Sequence, residues 1–306
     1  MCGLAGYFGK NKPSIELERD LLNMGKVIEH RGPDDSGTWH RHDVHSIGLV
    51  HRRLSILDLS KAGHQPMTSG SKRYVVSYNG EIYNHLELRQ LIDKKTDSRY
   101  KWRGYSDTET LLACVEIFGV DDTLNRLVGM FAFALWDCKS NSLILARDRM
   151  GEKPLYYGLQ NDTLLFGSDL NSLKQHPDFK GEINRDAIAL LMRYGYIPAP
   201  SSIYTGIHKL PPGSYIEFES PRSSTEPKYY WQLSSVISNS KFKNHPHGYE
   251  YAVQKLDKLL GDAVEGQMIS DVPVGAFLSG GIDSTAITAL AQSRSASQVK
   301  TFTIGF

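Results

Sequence analysis

Hydrophobic positions recur along the chain with two different periods. Residues 46–59 (SIGLVHRRLSILDL) and 72–80 (KRYVVSYNG) alternate or run apolar with β-branched residues, which predicts strands. Residues 131–158 predict two apolar strands broken at KSNS, a turn at RMGEKP and then an aromatic strand. Helical spacing marks 13–30, behind Pro13-Ser14, and 106–119, where Ser106 and Glu109 stand in capping-box register. Strands and helices in this mixed order predict stacked sheets with helices outside.

The pattern lapses between Glu219 and His247, where Ser, Pro, Lys and Asn crowd together, and a linker is expected there. Helical periodicity resumes over 249–268. Residues 272–292 then predict a buried strand, a Gly-rich turn and a helix, and 299–306 another strand. We therefore expect a first domain at 2–218, a linker at 219–247, and over 248–306 the opening of a parallel α/β domain. Such a domain needs further strands, so these residues are expected to be a fragment of a longer protein.

With 40% hydrophobic and 23% charged residues the chain has the composition of a soluble globular protein. Lys and Arg number 35 against 34 Asp and Glu, so no long-range field exists to draw nucleic acid or an anionic membrane. The apolar start ends at Lys10 without a basic leader, and no run is long enough to cross a membrane. Three scattered cysteines, Cys2, Cys114 and Cys138, make no disulfide framework and point to a reducing compartment, the cytoplasm.

Removal of Met1 would give Cys2 a thiol and an α-amine on one residue, a nucleophile carrying its own base. Attack on an amide needs donors for the oxyanion. Asn79-Gly80 is one candidate pair: Asn-Gly is a hairpin signal, but NHLELRQLI behind it has helical spacing, so a strand-to-helix turn is expected. Arg53, on a strand that turns one of Arg52 and Arg53 inward, suits a carboxylate, although a surface arginine reads equally well. Asp107 suits an ammonium, although an acid in a first helical turn also favours the helix dipole. His40, His42 and His45 do not complete a metal site. Cys114, Cys138 and Trp136 read as structural or core residues.

MCGLAGYFG, HRGPDDSG, RRLSILD, YNGEIYNH, SDTE and RDRMGEKPLYY together resemble the class II glutamine amidotransferase domain, and VPVGAFLSGGIDST resembles the pyrophosphate loop of asparagine synthetases. The resemblance implies an α+β N-terminal-nucleophile hydrolase sandwich (αββα), followed by the beginning of an α/β parallel-sheet nucleotide-binding domain. It implies Cys2 as nucleophile, Asn79 and Gly80 as oxyanion hole, and a glutamine site of Arg53, Leu54, Ser55, Ile56, Leu57, Asn79, Gly80, Glu81 and Asp107. Leu278, Ser279, Gly280, Gly281, Asp283, Ser284 and Ile304 are implied to bind ATP, with Mg²⁺ on its phosphates and no protein metal site. Ser279 to Ser284 also read physically as a strand-to-helix anion cradle, distinct from the Walker sequence because no Lys follows the glycines.

The implied reaction is glutamine-dependent asparagine synthesis. Glutamine is hydrolysed at Cys2, and the ammonia crosses a shielded passage to aspartate activated as β-aspartyl-AMP. These 306 residues alone are expected to hydrolyse glutamine without making asparagine. The substrates are small molecules, and a homodimer is allowed. Two alternatives stay open: amidation of a sugar or other carboxylate in polysaccharide synthesis, and a catalytically silent regulatory module. The SGGIDS loop argues against glucosamine-phosphate synthase and amidophosphoribosyltransferase, which share the opening domain.

Overall fold

The computed structural model describes residues 1–223, 225–239 and 248–305. The chain divides into two compact units, Met1–Gln232 and Leu233–Phe306.

The first unit opens with β1 (Gly3–Lys10), β2 (Asp35–His42), β3 (His45–Arg53), β4 (Met67–Thr68) and β5 (Tyr74–Ile82). It continues with β6 (Gly129–Asp137), β7 (Ser142–Arg147), β8 (Tyr156–Gln160), β9 (Thr163–Gly167), β10 (His208–Lys209), β11 (Ser214–Phe218) and β12 (Lys228–Tyr229). Two antiparallel six-stranded sheets result, in the orders β10-β8-β9-β1-β3-β2 and β12-β11-β7-β6-β5-β4. Period-two alternation sorts their side chains. Leu4 and Phe8 of β1 meet Ala132, Ala134 and Trp136 of β6 between the sheets, while Ala5 and Tyr7 face outward.

Each outer face is covered by helix. Leu17, Leu21 and Met24, spaced at a helical period on α1 (Ser14–Lys26), pack on Ala5, Tyr7 and Val50. Leu88 and Ile92 of α2 (His85–Lys95), with Leu111, Leu112 and Val115 of α3 (Asp107–Phe118), cover Val76, Tyr78, Phe131 and Phe133. The unit is therefore the expected αββα sandwich. Only half of the expected capping box forms at α3: Ser106 Oγ accepts from Glu109 N at 3.3 Å. The Glu109 carboxylate is taken instead by the backbone N–H groups of Arg103 and Gly104.

Two sequence expectations are corrected. The strand predicted over 46–59 stops at Arg53, where the chain turns back around the Arg53 guanidinium. Asn79-Gly80 is not a turn, because β5 runs on to Ile82 and pairs Asn79 with Ala132 and Gly80 with Phe131. Within the segment expected as linker, Lys228–Tyr229 pairs with β11 and Leu233–Asn239 is helical, while 240–247 lie outside the described residues.

The second unit has helices Gly248–Gln267 and Ile282–Arg294 and two parallel strands, β13 (Gly275–Phe277) and β14 (Lys300–Phe302). This is the strand-helix-strand opening of a parallel sheet. No helix among the described residues is long and apolar enough to cross a membrane.

His51 and His176 are fully buried in the first unit, and burial lowers them to about 3 and about 4. Both stay neutral in the native state while an unfolded chain protonates near its ordinary value of 6.5. Native stability is therefore complete above that value and lost as pH falls from it towards 4, at up to about 1.4 kcal/mol per pH unit for each histidine. Tm is expected to drop across that window, with a shallower slope in His51→Gln. An unchanged slope in thermal melts would contradict this role.

Candidate active site

Cys2 immediately precedes β1, which is an interior strand of its sheet, so the thiol is carried on a rigid support. Its sulfur sits against the segment that leaves β3. The Leu54 N–H donates to Sγ at 3.3 Å, and the thiol lies 3.6 Å from the Leu54 carbonyl that accepts from it. The Arg31 guanidinium donates from Nε to the Cys2 carbonyl at 3.1 Å and fixes the backbone. Burial pushes the thiol up, while the Leu54 N–H and the nearby chain-terminal ammonium favour the thiolate. Burial also lowers that ammonium, which at present belongs to Met1.

Cys2 lines an open pocket whose wall includes Arg53, Leu54, Ile56, Leu57, Asn79, Gly80, Glu81 and Asp107. Eight of the nine residues expected to contact glutamine, all but Ser55, thus meet Cys2 at one place, together with Met1, Gln65, Tyr78, Thr108 and Lys153. Ser55 is not part of this wall; its N–H donates to Asp34 Oδ2 at 2.7 Å.

The two residues expected to hold an oxyanion, Asn79 and Gly80, lie at the end of β5. Phe131 of β6 directs its N–H and carbonyl to Asp148, so opposite it the backbone of Gly80 points away from β6. The N–H groups of Tyr78, Gly80 and Ile82 share that direction. Tyr78 donates to Gln65 Oε1 at 2.7 Å and Ile82 to Asp107 Oδ2 at 2.9 Å. Between them, the Gly80 N–H faces the cavity. Asn79 is 1% exposed, and its side-chain Nδ2 is buried with no hydrogen-bond partner among the described residues. An orphaned buried donor is costly unless a ligand uses it. Gly80 must be glycine, since a Cβ there would lie 2.4 Å from the Met130 carbonyl.

Arg53 is 6% exposed and donates to the carbonyls of Leu57, Asp58 and Ser60, which folds the 54–60 loop around its guanidinium. Asp107 accepts from the Tyr78 hydroxyl at 2.7 Å and from Ile82 N. Burial pushes its carboxyl up against those hydrogen bonds. Burial also raises Glu81, opposed by the Lys153 cation. The cavity thus brings one guanidinium, one ammonium, two carboxylates and two unspent donors beside a thiol.

In the second unit Leu278 follows β13 and Ile304 lies just beyond β14, at the carboxyl ends of neighbouring parallel strands. The Thr303 hydroxyl donates to the Leu278 carbonyl at 2.7 Å and ties the two ends together. Ser279, Gly280, Gly281, Asp283 and Ser284 form the turn into helix Ile282–Arg294, whose first N–H groups have no side-chain cap. Gly280 has φ +81° and open space where a Cβ would stand, so the cradle has room for an anion. Among the described residues no group of three His, Cys, Asp or Glu could hold a metal ion.

A family model described as a glutamine amidotransferase domain matches residues 1–231. The chain belongs to the glutamine amidotransferase family. A second model, asparagine synthase, matches 255–306, behind the amidotransferase domain. Among curated relatives, a putative glutamine-hydrolysing asparagine synthetase of Methanocaldococcus jannaschii is 36% identical, aligned over 100% of this chain and 60% of its own length. Asparagine synthetase 3 of Bacillus subtilis is 35% identical over 95% of this chain and 45% of its own. The chain thus spans about half the length of the curated relatives it matches. A phosphoribosylpyrophosphate amidotransferase from B. subtilis, solved with ADP and GMP, superposes with a TM-score of 0.54 over 99% of this chain and 65% of that one. At 15% identity this likeness shows the sandwich fold alone.

Gln65, Tyr78, Thr108 and Lys153 escaped the sequence reading. Gln65 and Thr108 are joined through Nε2 and Oγ1 at 3.4 Å, a contact between distant segments that leaves no local signal.

Proposed function

We propose that the amidotransferase domain hydrolyses glutamine and that its ammonia amidates a carboxylate, aspartate, activated with ATP in the asparagine synthase domain. The observation that carries this reading is the buried, unpartnered Asn79 Nδ2 in the wall that Cys2 lines. After loss of Met1 the Cys2 amine takes the thiol proton, and the thiolate attacks the glutamine amide carbon. Asn79 and Gly80 hold the oxyanion. Its collapse breaks the C–N bond, the amine returns the proton to the leaving nitrogen, and ammonia departs, leaving a thioester. Water, deprotonated by the same amine, attacks that thioester, and its collapse returns the proton to sulfur and frees glutamate. Arg53 would take the substrate α-carboxylate, and Glu81 with Asp107 the α-ammonium.

The turn at Ser279 to Ser284 would hold the ATP phosphates on backbone N–H groups, with Leu278 and Ile304 beside the nucleotide and Mg²⁺ carried on the phosphates. ATP there supplies activation of the acceptor as its adenylate. The naming of the relatives and the asparagine synthase match support this assignment.

The test incubates the protein with the whole synthetase domain with glutamine, Mg-ATP and aspartate. Glutamate, asparagine, AMP and pyrophosphate in equal amounts support the proposal. Glutamate formation with AMP produced only when a sugar acid replaces aspartate would overturn the acceptor, and absence of glutamate would overturn the glutaminase reading.

A further inference from the structure

Lys153 has no part in the reaction as described so far, yet its position is built with care. It is 6% exposed and stands in the same cavity wall as Cys2, Gly80 and Glu81. The loop that carries it is wound around the Asp148 carboxylate. Oδ1 accepts from Met150 N and Glu152 N at 3.0 and 2.9 Å, and Oδ2 accepts from Lys153 N at 3.0 Å and Phe131 N at 3.1 Å. Arg147 closes the loop from the other side, donating to the carbonyls of Lys153, Gly151 and Leu210 at 2.6–2.7 Å. Phe131 is the register partner of Gly80, so one buried carboxylate fixes both the lysine and the strand that supplies the oxyanion donors.

A buried lysine normally has a carboxylate as its partner. Among the described residues, no carboxylate lies within ion-pair distance of this ammonium. We propose that Lys153 is a positioning residue whose fixed positive charge favours a neutral α-amine and a thiolate on Cys2. This rests on the reading of Cys2 as an N-terminal nucleophile.

The other charges acting on the chain terminus and the thiol come from every side of the cavity. Arg31 precedes β2 and acts with Lys153 to disfavour the ammonium, while Glu81 of β5 opposes them. Arg53 of β3 favours the thiolate and Asp107 of α3 opposes it. Arg31 is committed to the Cys2 carbonyl and Arg53 to its own loop, whereas the Lys153 ammonium has no such engagement. Lys153 thus adds to the effect of Arg31 at the chain terminus a charge that no ion pair offsets. Burial lowers the lysine itself while Glu81 supports its charge.

The test uses processed protein, its loss of Met1 verified by intact mass. Lys153→Met and Lys153→Arg are compared with the parent in two pH profiles: kcat/KM for glutamine hydrolysis, and the rate of Cys2 alkylation by iodoacetamide read by peptide mass. In Lys153→Met both acidic limbs should move up by about half a pH unit or more, a loss of about threefold or more on the acidic side that vanishes at the alkaline plateau. Lys153→Arg should restore both limbs. If Lys153→Met does not fold, Lys153→Gln carries the same comparison. An unmoved alkylation profile overturns the proposal, whether kcat/KM is unchanged or falls equally at every pH. Survival of glutaminase activity in Cys2→Ala would instead overturn the underlying reading, and the alkylation profile would still report on Lys153.

Discussion

Replacing Cys2 with alanine should abolish glutamine hydrolysis, by about four orders of magnitude or more, because the nucleophile is lost, and the serine variant should fall nearly as far because its hydroxyl is a much weaker nucleophile than a thiolate. Folding should be untouched. Among the described residues the thiol's hydrogen bonds are the two with Leu54, and Cys2 lies outside the paired residues of β1, so circular dichroism and Tm should match the parent. The mechanism also requires the amine of Cys2 and not that of Met1. Active protein is therefore expected to have a mass lacking methionine, and full activity from a chain retaining Met1 would refute the self-base mechanism.

Asn79→Ala should lower kcat about a hundredfold with little change in KM, since the amide meets charge that develops only in the transition state. Stability measurements separate this from simple damage. Because Nδ2 has no partner among the described residues, removing it deletes an unsatisfied buried donor, and ΔG of unfolding should change by only about 1 kcal/mol. Arg53→Ala should instead mainly raise KM, because a carboxylate contact serves ground and transition states alike. It should also loosen the 54–60 loop, whose carbonyls the guanidinium gathers. Should Asn79→Ala raise KM and Arg53→Ala lower kcat alone, the two roles would have to be exchanged.

The sandwich was legible because alternation and helical spacing survive in the chain even where turns are irregular: Ile47 and Leu49 on one face of β3, Leu17, Leu21 and Met24 on one face of α1. The end of β5 misled for a specific reason. Asn-Gly carries a strong turn propensity, but Tyr78 and Ile82 continue the period of two across it, and nine paired residues override a dipeptide preference. Leu54, Ile56 and Leu57 looked like strand because they are apolar, whereas they line a cavity and their chain direction is set by Arg53. Lys153 was illegible. Its burial is created by a carboxylate five residues earlier and an arginine one residue before that, and neither produces a periodic signal.

The place of β1 in the middle of its sheet also sets an order of events during synthesis. Gly3–Lys10 can pair with β3 early, but its other neighbour, Thr163–Gly167, leaves the ribosome much later. At ordinary translation rates the interval is on the order of ten seconds. Throughout it the amino terminus belongs to a half-made sheet with one open edge, accessible to a methionine aminopeptidase. Met1 remains exposed once β9 has closed the sheet, so trimming is expected to be open both during synthesis and after folding. A slower peptidase should therefore delay the appearance of activity, and treating folded, untrimmed protein with a methionine aminopeptidase should restore it.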